Sequence, residues 1–298
     1  MKRRKIGWPE RIFNLVNLLI CAIIMILCVY PFYYIFIYSI SDPVQAQKGI
    51  YLLPRGFTLR SYSEVLKLKG IGGAVLVSVS RTILGTALTV FCSGYLAFLV
   101  TQKRVYCRKL IYRLVVATMY LNAGLIPWYI TMKFLHLNNH FLVYIIPYAV
   151  SAYYVVLIKT FIEQLPPSLE ESAWIDGAGI FQIFTRIILP LSKPIIATIA
   201  VFAAVNQWNQ WFDNYILVQS QSLRTLQLIL YNFLNESNSI ASLMRAQNFS
   251  VDSQLSFKIT PQAIKMTITM VITLPIICVY PFLQRFFVKG IMLGAVKG

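Results

Sequence analysis

The chain has 298 residues, 58% of them hydrophobic and only 12% charged, with a mean hydropathy of +0.66. A soluble domain carries about twice that charge fraction, so the solvent for most of this chain is lipid. The formal charge of +17 suggests nucleic acid only until the cations are placed along the chain.

Six runs reach the ~20 apolar residues that cross a ~30 Å hydrocarbon layer: about 12–40, 74–100, 110–132, 141–162, 187–218 and 264–287. The expected fold class is all-α, a polytopic membrane protein with six transmembrane helices forming a single domain over 1–298. The first run follows "MKRRK" but exceeds the roughly 7–15 residues of a signal-peptide core, and no small-residue cleavage site follows Tyr30. It reads as a retained span, with Tyr30, Tyr33, Tyr34 and Tyr38 suited to an outer aromatic belt.

With the amino end inside, the cytosolic segments 1–11, 102–113, 159–193 and 285–298 hold 16 Lys/Arg in 72 residues. The outer segments 42–81, 133–141 and 217–265 hold 11 in 98. This roughly twofold density is the positive-inside bias, and it places both termini in the cytosol. "MKRRK" and "QKRVYCRK" are therefore orientation signals, and nucleic-acid binding is excluded.

In the third run, "MYLNAGLIPW" marks a kinked, polar-lined site at Asn122, Gly124 and Pro127, although close packing explains Gly124 equally well. His136 and His140 follow in an outer loop with no third ligand nearby, so they read as interfacial polar residues. The five cysteines form no metal-spaced pair and no disulfide framework. They are expected to be free.

After the fourth run comes "SLEESAWIDGAGIFQIFTRIILPLSKP", 168–194. Pro166-Pro167 stop the preceding helix, and Ser168 with Glu171 has capping-box spacing, which predicts a helix over 169–176. Gly177 supplies the positive-φ stop. A second helix over 179–188 has Ile180, Phe184 and Ile187 on one face. The topology puts this helix–Gly–helix unit in the cytosol, where its length and caps suit a rigid docking element.

In the fifth run, "NQWNQWFDNY" sets Asn206, Asn209, Gln210 and Asp213 on one helix face, with Trp208, Trp211, Phe212 and Tyr215 opposite. Polar groups at membrane depth face a bundle interior or a wet cavity, so the polar face is expected to line a translocation path. Saccharides suit such a lining, through hydroxyl hydrogen bonds and C–H faces stacked on rings. The competing reading of the amides is interhelical bonding. The aromatic face, with Trp211 its candidate, stays open between a stacking surface and an interface belt.

The chain has no G-x-x-x-x-G-K-[ST], H-E-x-x-H or G-x-S-x-G pattern, so no catalytic residue, metal site or cofactor is expected in it. If ATP drives transport, another polypeptide hydrolyses it. No internal repeat suggests the inverted halves of secondary transporters.

The stretch "EESAWIDGAGIFQIFTRIILPLSKP" resembles the EAA loop of ABC-importer membrane subunits. Glu171, Ala173, Asp176, Gly177, Ala178, Ile187, Leu189, Pro190 and Pro194 match that pattern, and Ser172 stands where it has Ala. "YPFYYIFIYSISDP", "GLIPWYI", "QWNQWFDNY" and "YPFLQRFFVKGIMLGAVKG" are similar to the poly- and oligosaccharide-permease branch of the maltose-type carbohydrate-uptake family, so the likeness runs almost end to end.

That resemblance implies a coupling loop over 166–190 in which Glu171, Ala173, Asp176, Gly177 and Ala178 engage an ATPase. It implies as partners a second homologous permease, two copies of an ABC ATPase subunit that hold ATP and Mg, and an extracytoplasmic sugar-binding protein docked on the outer segments. The substrate would be an oligosaccharide or polysaccharide fragment, crossing the bacterial cytoplasmic membrane past Asn122, Asn206, Asn209, Gln210, Trp211 and Asp213. A secondary transporter or channel, for which 169–194 is only a linker, is the alternative. A membrane-embedded enzyme would need a reactive constellation that the sequence lacks.

Overall fold

The computed structural model describes residues 7–49, 52–67, 70–121, 123–235, 260 and 262–278 and divides the chain into two compact units. The regular elements among these residues are helices, beside one isolated antiparallel bridge between Ser41 and Phe57. The fold class is all-α, as expected.

Unit one comprises 1–68 and 233–273. Its α1 (Trp8–Ser39) is apolar around its whole circumference, and none of its most apolar stretch is buried. A helix of that kind needs lipid or another protein around it. Burial begins only at Ile37 and Tyr38, which pack with Ala46 and Ala263. The short α2 (Pro43–Ala46) starts at Asp42, whose Oδ1 accepts from the Val44 and Gln45 N–H groups at 3.0 Å each, an N-cap followed by proline at the first helical position. Then α3 (Arg60–Lys67) turns Ser61 and Val65 inward.

Unit two comprises 69–232 and 274–298. It contains α4 (Ile71–Thr101), α5 (Arg108–Thr118), α6 (Leu125–Phe134), α7 (Ala152–Ile162), α8 (Ser168–Ile175), α9 (Ile180–Ile183), α10 (Leu189–Leu191), α11 (Lys193–Asn209) and α12 (Phe212–Leu217). The organising helix is α4, against which α7 and α11 lie. Its buried face runs through Ala74, Ser78, Arg81, Gly85, Thr89 and Ser93. Apart from Arg81 these side chains are small, and small residues let helix backbones approach where lipid offers no hydrophobic drive. Phe98, Ile158, Ile183, Phe184 and Ile199 form one apolar cluster, and Val77, Val143, Tyr144 and Leu217 another.

The expected spans are broken in ways that hydropathy does not record. By length and composition α1 and α4 can each cross a bilayer alone. The 110–132 run is two helices, α5 and α6, and Gly124 before α6 has φ +82 and ψ 179, a conformation essentially confined to glycine. The 141–162 run begins as two 3-10 turns, Phe141–Tyr144 and Ile146–Tyr148, bent 45° from α7. The sixth run is described as helix over Gln262–Cys278.

The 187–218 run needs the largest correction. Residues Ile180–Leu191 stand at 87° to α11, so 187–191 belong to the preceding element and the crossing helix starts at Lys193. Ser192 is the elbow, between Pro190 and Pro194, each of which removes a helical N–H donor. The helix also stops at Asn209, because Gln210 is extended at φ −74 and ψ 121. Apolar composition reads the same on both sides of a bend, which is why one run was expected.

Candidate functional site

The 166–191 element starts differently from its sequence signal. Pro167 takes the N-cap position, Ser168 is the first helical residue, and no side chain caps α8. The Glu170 and Glu171 N–H groups donate to the Pro167 carbonyl instead, each at 3.1 Å. Proline brings a preset φ and no N–H of its own to satisfy, so the helix begins one residue early and the Ser168–Glu171 capping box is not formed.

The other end matches expectation. Gly177 has φ +78, its N–H donates to the Trp174 carbonyl at 3.1 Å, and the Ala178 N–H donates to the Ala173 carbonyl at 3.0 Å. These two bonds are the Schellman closure of a helix C-terminus.

Beyond Gly177 the chain runs through α9, a π-helical segment Phe184–Ile188 and α10. Such segments recur at functional sites. Phe184 anchors this one, at 5.1 Å from the Tyr95 ring and 5.6 Å from the Phe98 ring.

One side of the element is fastened. Ala173 is buried, with Trp174 and Ala178 packed on the same apolar cluster. Gln102 Nε2 donates to Glu170 Oε2 at 2.8 Å, and the Arg104 guanidinium lies 4.1 Å above the Trp174 ring, within cation–π range. The other side is bare: Glu171, Asp176 and Gly177 are exposed, and Ile175 is 86% exposed. Of the two adjacent acids, Glu170 holds the element to α4 and Glu171 faces outward.

A second constellation lies in the middle of unit two. Arg81, the only charged residue of α4, is fully buried and pairs with the equally buried Asp213 of α12. The contact is two-on-two, Nη2 to Oδ2 at 2.7 Å and Nη1 to Oδ1 at 3.2 Å. Nη1 also donates to the Gln210 carbonyl at 3.1 Å, and Nε and Nη2 both donate to Gln207 Oε1 at 3.3 Å. Tyr144 lies under the guanidinium at 4.5 Å.

The guanidinium therefore caps the carbonyl end of α11 and ties it to the first turn of α12. Positive charge at a helix C-terminus and negative charge at an N-terminus both favour the macrodipoles. Gly85 makes the arrangement possible, since a Cβ there would stand 2.6 Å from Gln207 Nε2.

Beside this clasp is a cavity of about 220 Å³ lined by Thr89, Tyr148, Ser151, Asn206, Gln207 and Gln210, with apolar neighbours. Gln210 Nε2 donates to the Tyr148 hydroxyl at 3.0 Å, and Thr89 Oγ1 donates to the Tyr148 carbonyl at 2.7 Å. A larger, mainly apolar cavity of about 730 Å³ lies on the other side of α11, where Asn206 meets Phe202, Val205, Trp208 and Asn209.

Of the path candidates, Asn206 and Gln210 line the polar cavity. Asn209 is exposed on the apolar side and accepts from Gln227 Nε2 at 3.3 Å. Trp211 stacks on Tyr231 at 4.0 Å, with Phe212 and Tyr215 edge-on to it. Asp213 is closed off in its ion pair, and Asn122 lies outside the described residues. The break at Gln210 separates the four polar residues expected on one continuous face.

Sequence reasoning missed Arg81 and Gln207. By sequence Arg81 falls in the outer segment 42–81, although it sits ten residues inside an apolar helix. Its signal was available: a lone cation in one span and, at 213, the lone acid between 177 and 235.

Residues 85–293 match the family described as the binding-protein-dependent transport system inner membrane component. The chain is 35% identical to Protein LplC of Bacillus subtilis, over 97% of this chain and 96% of that protein. It is 33% identical to the polygalacturonan/rhamnogalacturonan transport system permease protein YtcP of the same organism, over 97% and 99%. In three dimensions it is similar to a chain from the crystal structure of a bacterial ABC transporter involved in the import of the acidic polysaccharide alginate. That match has a TM-score of 0.85 and 26% identity, covering 96% of this chain and 100% of the other.

Proposed function

Because the chain belongs to the binding-protein-dependent transport system inner membrane component family, we propose that it carries an oligosaccharide or polysaccharide fragment into a bacterial cell. The chain is a carbohydrate ABC-importer permease subunit, a transport component and not an enzyme. In this reading it works as one permease domain with cytosolic termini, beside a second homologous permease. Two ATPase subunits bind and hydrolyse the ATP with its Mg, and an extracytoplasmic binding protein delivers the sugar.

The observation that carries the coupling role is the asymmetry of the 168–191 element. Its joint at Gly177 is closed by two backbone hydrogen bonds, its inner side is anchored on α4, and its outer side presents Glu171, Ile175 and Asp176 bare. A linker needs neither the closure nor the anchor. Glu171, Ala173, Asp176, Gly177 and Ala178 are then the coupling residues, with Ala173 and Ala178 facing inward. Asn206 and Gln210 serve the translocation path through the amide-lined cavity. Asn209 borders that path, and Asp213 serves it by positioning.

Glu171→Ala and Gly177→Val are expected to insert at normal levels. An exposed β-branched residue at positive φ costs about 1–2 kcal/mol, too little to unfold a membrane bundle. Both variants should lose ATPase retention in pull-downs or lose the stimulation of hydrolysis by saccharide-loaded binding protein. Normal retention and stimulation in both would make the stretch a linker and favour the secondary-transporter reading.

A further inference from the structure

The cavity beside the clasp carries polar groups but no charged ones. Its lining offers the amides of Asn206, Gln207 and Gln210 and the hydroxyls of Thr89, Tyr148 and Ser151, with no Lys, Arg, Asp or Glu among the described lining residues. The charges behind it belong to the clasp. A guanidinium has five N–H donors and no acceptor, and Arg81 makes five hydrogen bonds: two to Asp213, two to Gln207 Oε1 and one to the Gln210 carbonyl. No donor of Arg81 is left to turn toward the cavity. Because Arg81 only donates, the Gln207 atom facing it must be the oxygen, which fixes the orientation of that amide.

Amides and hydroxyls both donate and accept, as sugar hydroxyls do. A carboxylate only accepts, and it loses much of its hydration on entering a confined membrane site that supplies no cation.

We infer that this cavity admits the uncharged hydroxylated units of a neutral saccharide in preference to uronates, and that Asp213 sets the preference by neutralising Arg81. The inference rests on the reading that the cavity belongs to the translocation path. It deepens that reading by naming the substrate's charge class. Asp213 is thus a specificity-determining residue that need not touch the sugar.

The test measures the cavity's charge preference without requiring the identity of the transported sugar. Ser151→Cys places a thiol in the lining with a minimal change of shape. It is introduced into the assembled importer after Cys21, Cys28, Cys92, Cys107 and Cys278, all unpaired in the structure, are replaced. The thiol is then modified with size-matched neutral, sulfonate-bearing and quaternary-ammonium methanethiosulfonates, each rate divided by that reagent's rate with a free thiol. The neutral reagent is expected to lead the anionic one by about tenfold, which corresponds to about 1.4 kcal/mol of barrier.

In the Asp213→Asn background the anionic rate should rise several-fold toward the neutral one and the cationic rate should fall. If that variant does not assemble, Arg81→Met provides the mirror result: the anionic rate falls further and the cationic rate rises. Equal neutral and anionic rates in the parent, or ratios unmoved by either charge change, would overturn the inference. Neither result would touch the importer reading, which stands or falls on ATPase retention and saccharide-stimulated hydrolysis.

Discussion

Two helices in unit two stop and restart, at Gly177 and at Gln210, and they are closed in opposite ways. At Gly177 the closure is local and exposed: the backbone turns left-handed and satisfies its own carbonyls. At Gln210 it is distant and buried, since the freed carbonyl is capped by a guanidinium from α4, 129 residues earlier. A local closure persists whatever the surroundings do, so it suits an element that transmits force. The distant closure holds only while two helices stay in register, so it makes the geometry of the α11–α12 junction depend on α4.

The comparison breaks most visibly at the clasp. Arg81→Ala strands a fully buried Asp213, and breaking one side of a buried pair costs about 3–5 kcal/mol. Thermal denaturation of the purified permease should show a large loss of stability. The double variant Arg81→Met with Asp213→Leu should recover most of it, because no charge is then left unpaired. Equal losses in the single and double variants would show that the ion pair is not what holds the Gln210 break.

A matched pair of glycines gives a smaller and sharper contrast. Gly85→Ala forces Gln207 to move from 2.6 Å and should cost about 1–3 kcal/mol by overpacking. Gly177→Ala meets nothing within 4 Å, so its cost is conformational alone, about 1 kcal/mol. Denaturation curves for both, with a double-mutant test of Gly85→Ala against Gln207→Ala, decide the point. Gly85→Ala should become nearly harmless once Gln207 is shortened, whereas Gly177→Ala should be indifferent to that change.

The smallest effect is expected where the sequence signal misled. Ser168→Ala should shift stability by less than about 0.5 kcal/mol, since that hydroxyl caps no N–H group of α8. Asp42→Ala removes a cap that accepts two N–H groups and should cost about 1 kcal/mol.

What was legible in the sequence follows the same division. The all-α class, the helix–Gly–helix unit and the stop at Gly177 depend on hydropathy and on the backbone freedom of one residue, both encoded within a few positions. Ser168 failed as a cap because two prolines reset the start of the helix by one residue. The π segment at Phe184–Ile188, whose Phe184 packs on Tyr95 and Phe98, leaves no periodic trace. Asn206 and Gln210 stood out because amides at membrane depth are conspicuous, and both line the cavity. Gln207, buried against Gly85, fell outside the expected polar face because it sits about 100° around the helix from Asn206. Asp213 was recognised as unusual, but its partner was not, because nothing local ties residue 213 to residue 81.

The separation of Arg81 from Asp213 by 132 residues also has a consequence in time. At about 5–20 residues per second of synthesis, Arg81 leaves the ribosome roughly 7–26 s before the carboxylate that will neutralise its guanidinium. During that interval α4 enters the bilayer with an unmatched cation, an insertion penalty of at most about 2.5–3.5 kcal/mol, the value at a helix centre. The rest of its 31 residues must outweigh that penalty, and any shortening of its apolar length should show first as failed insertion during biogenesis.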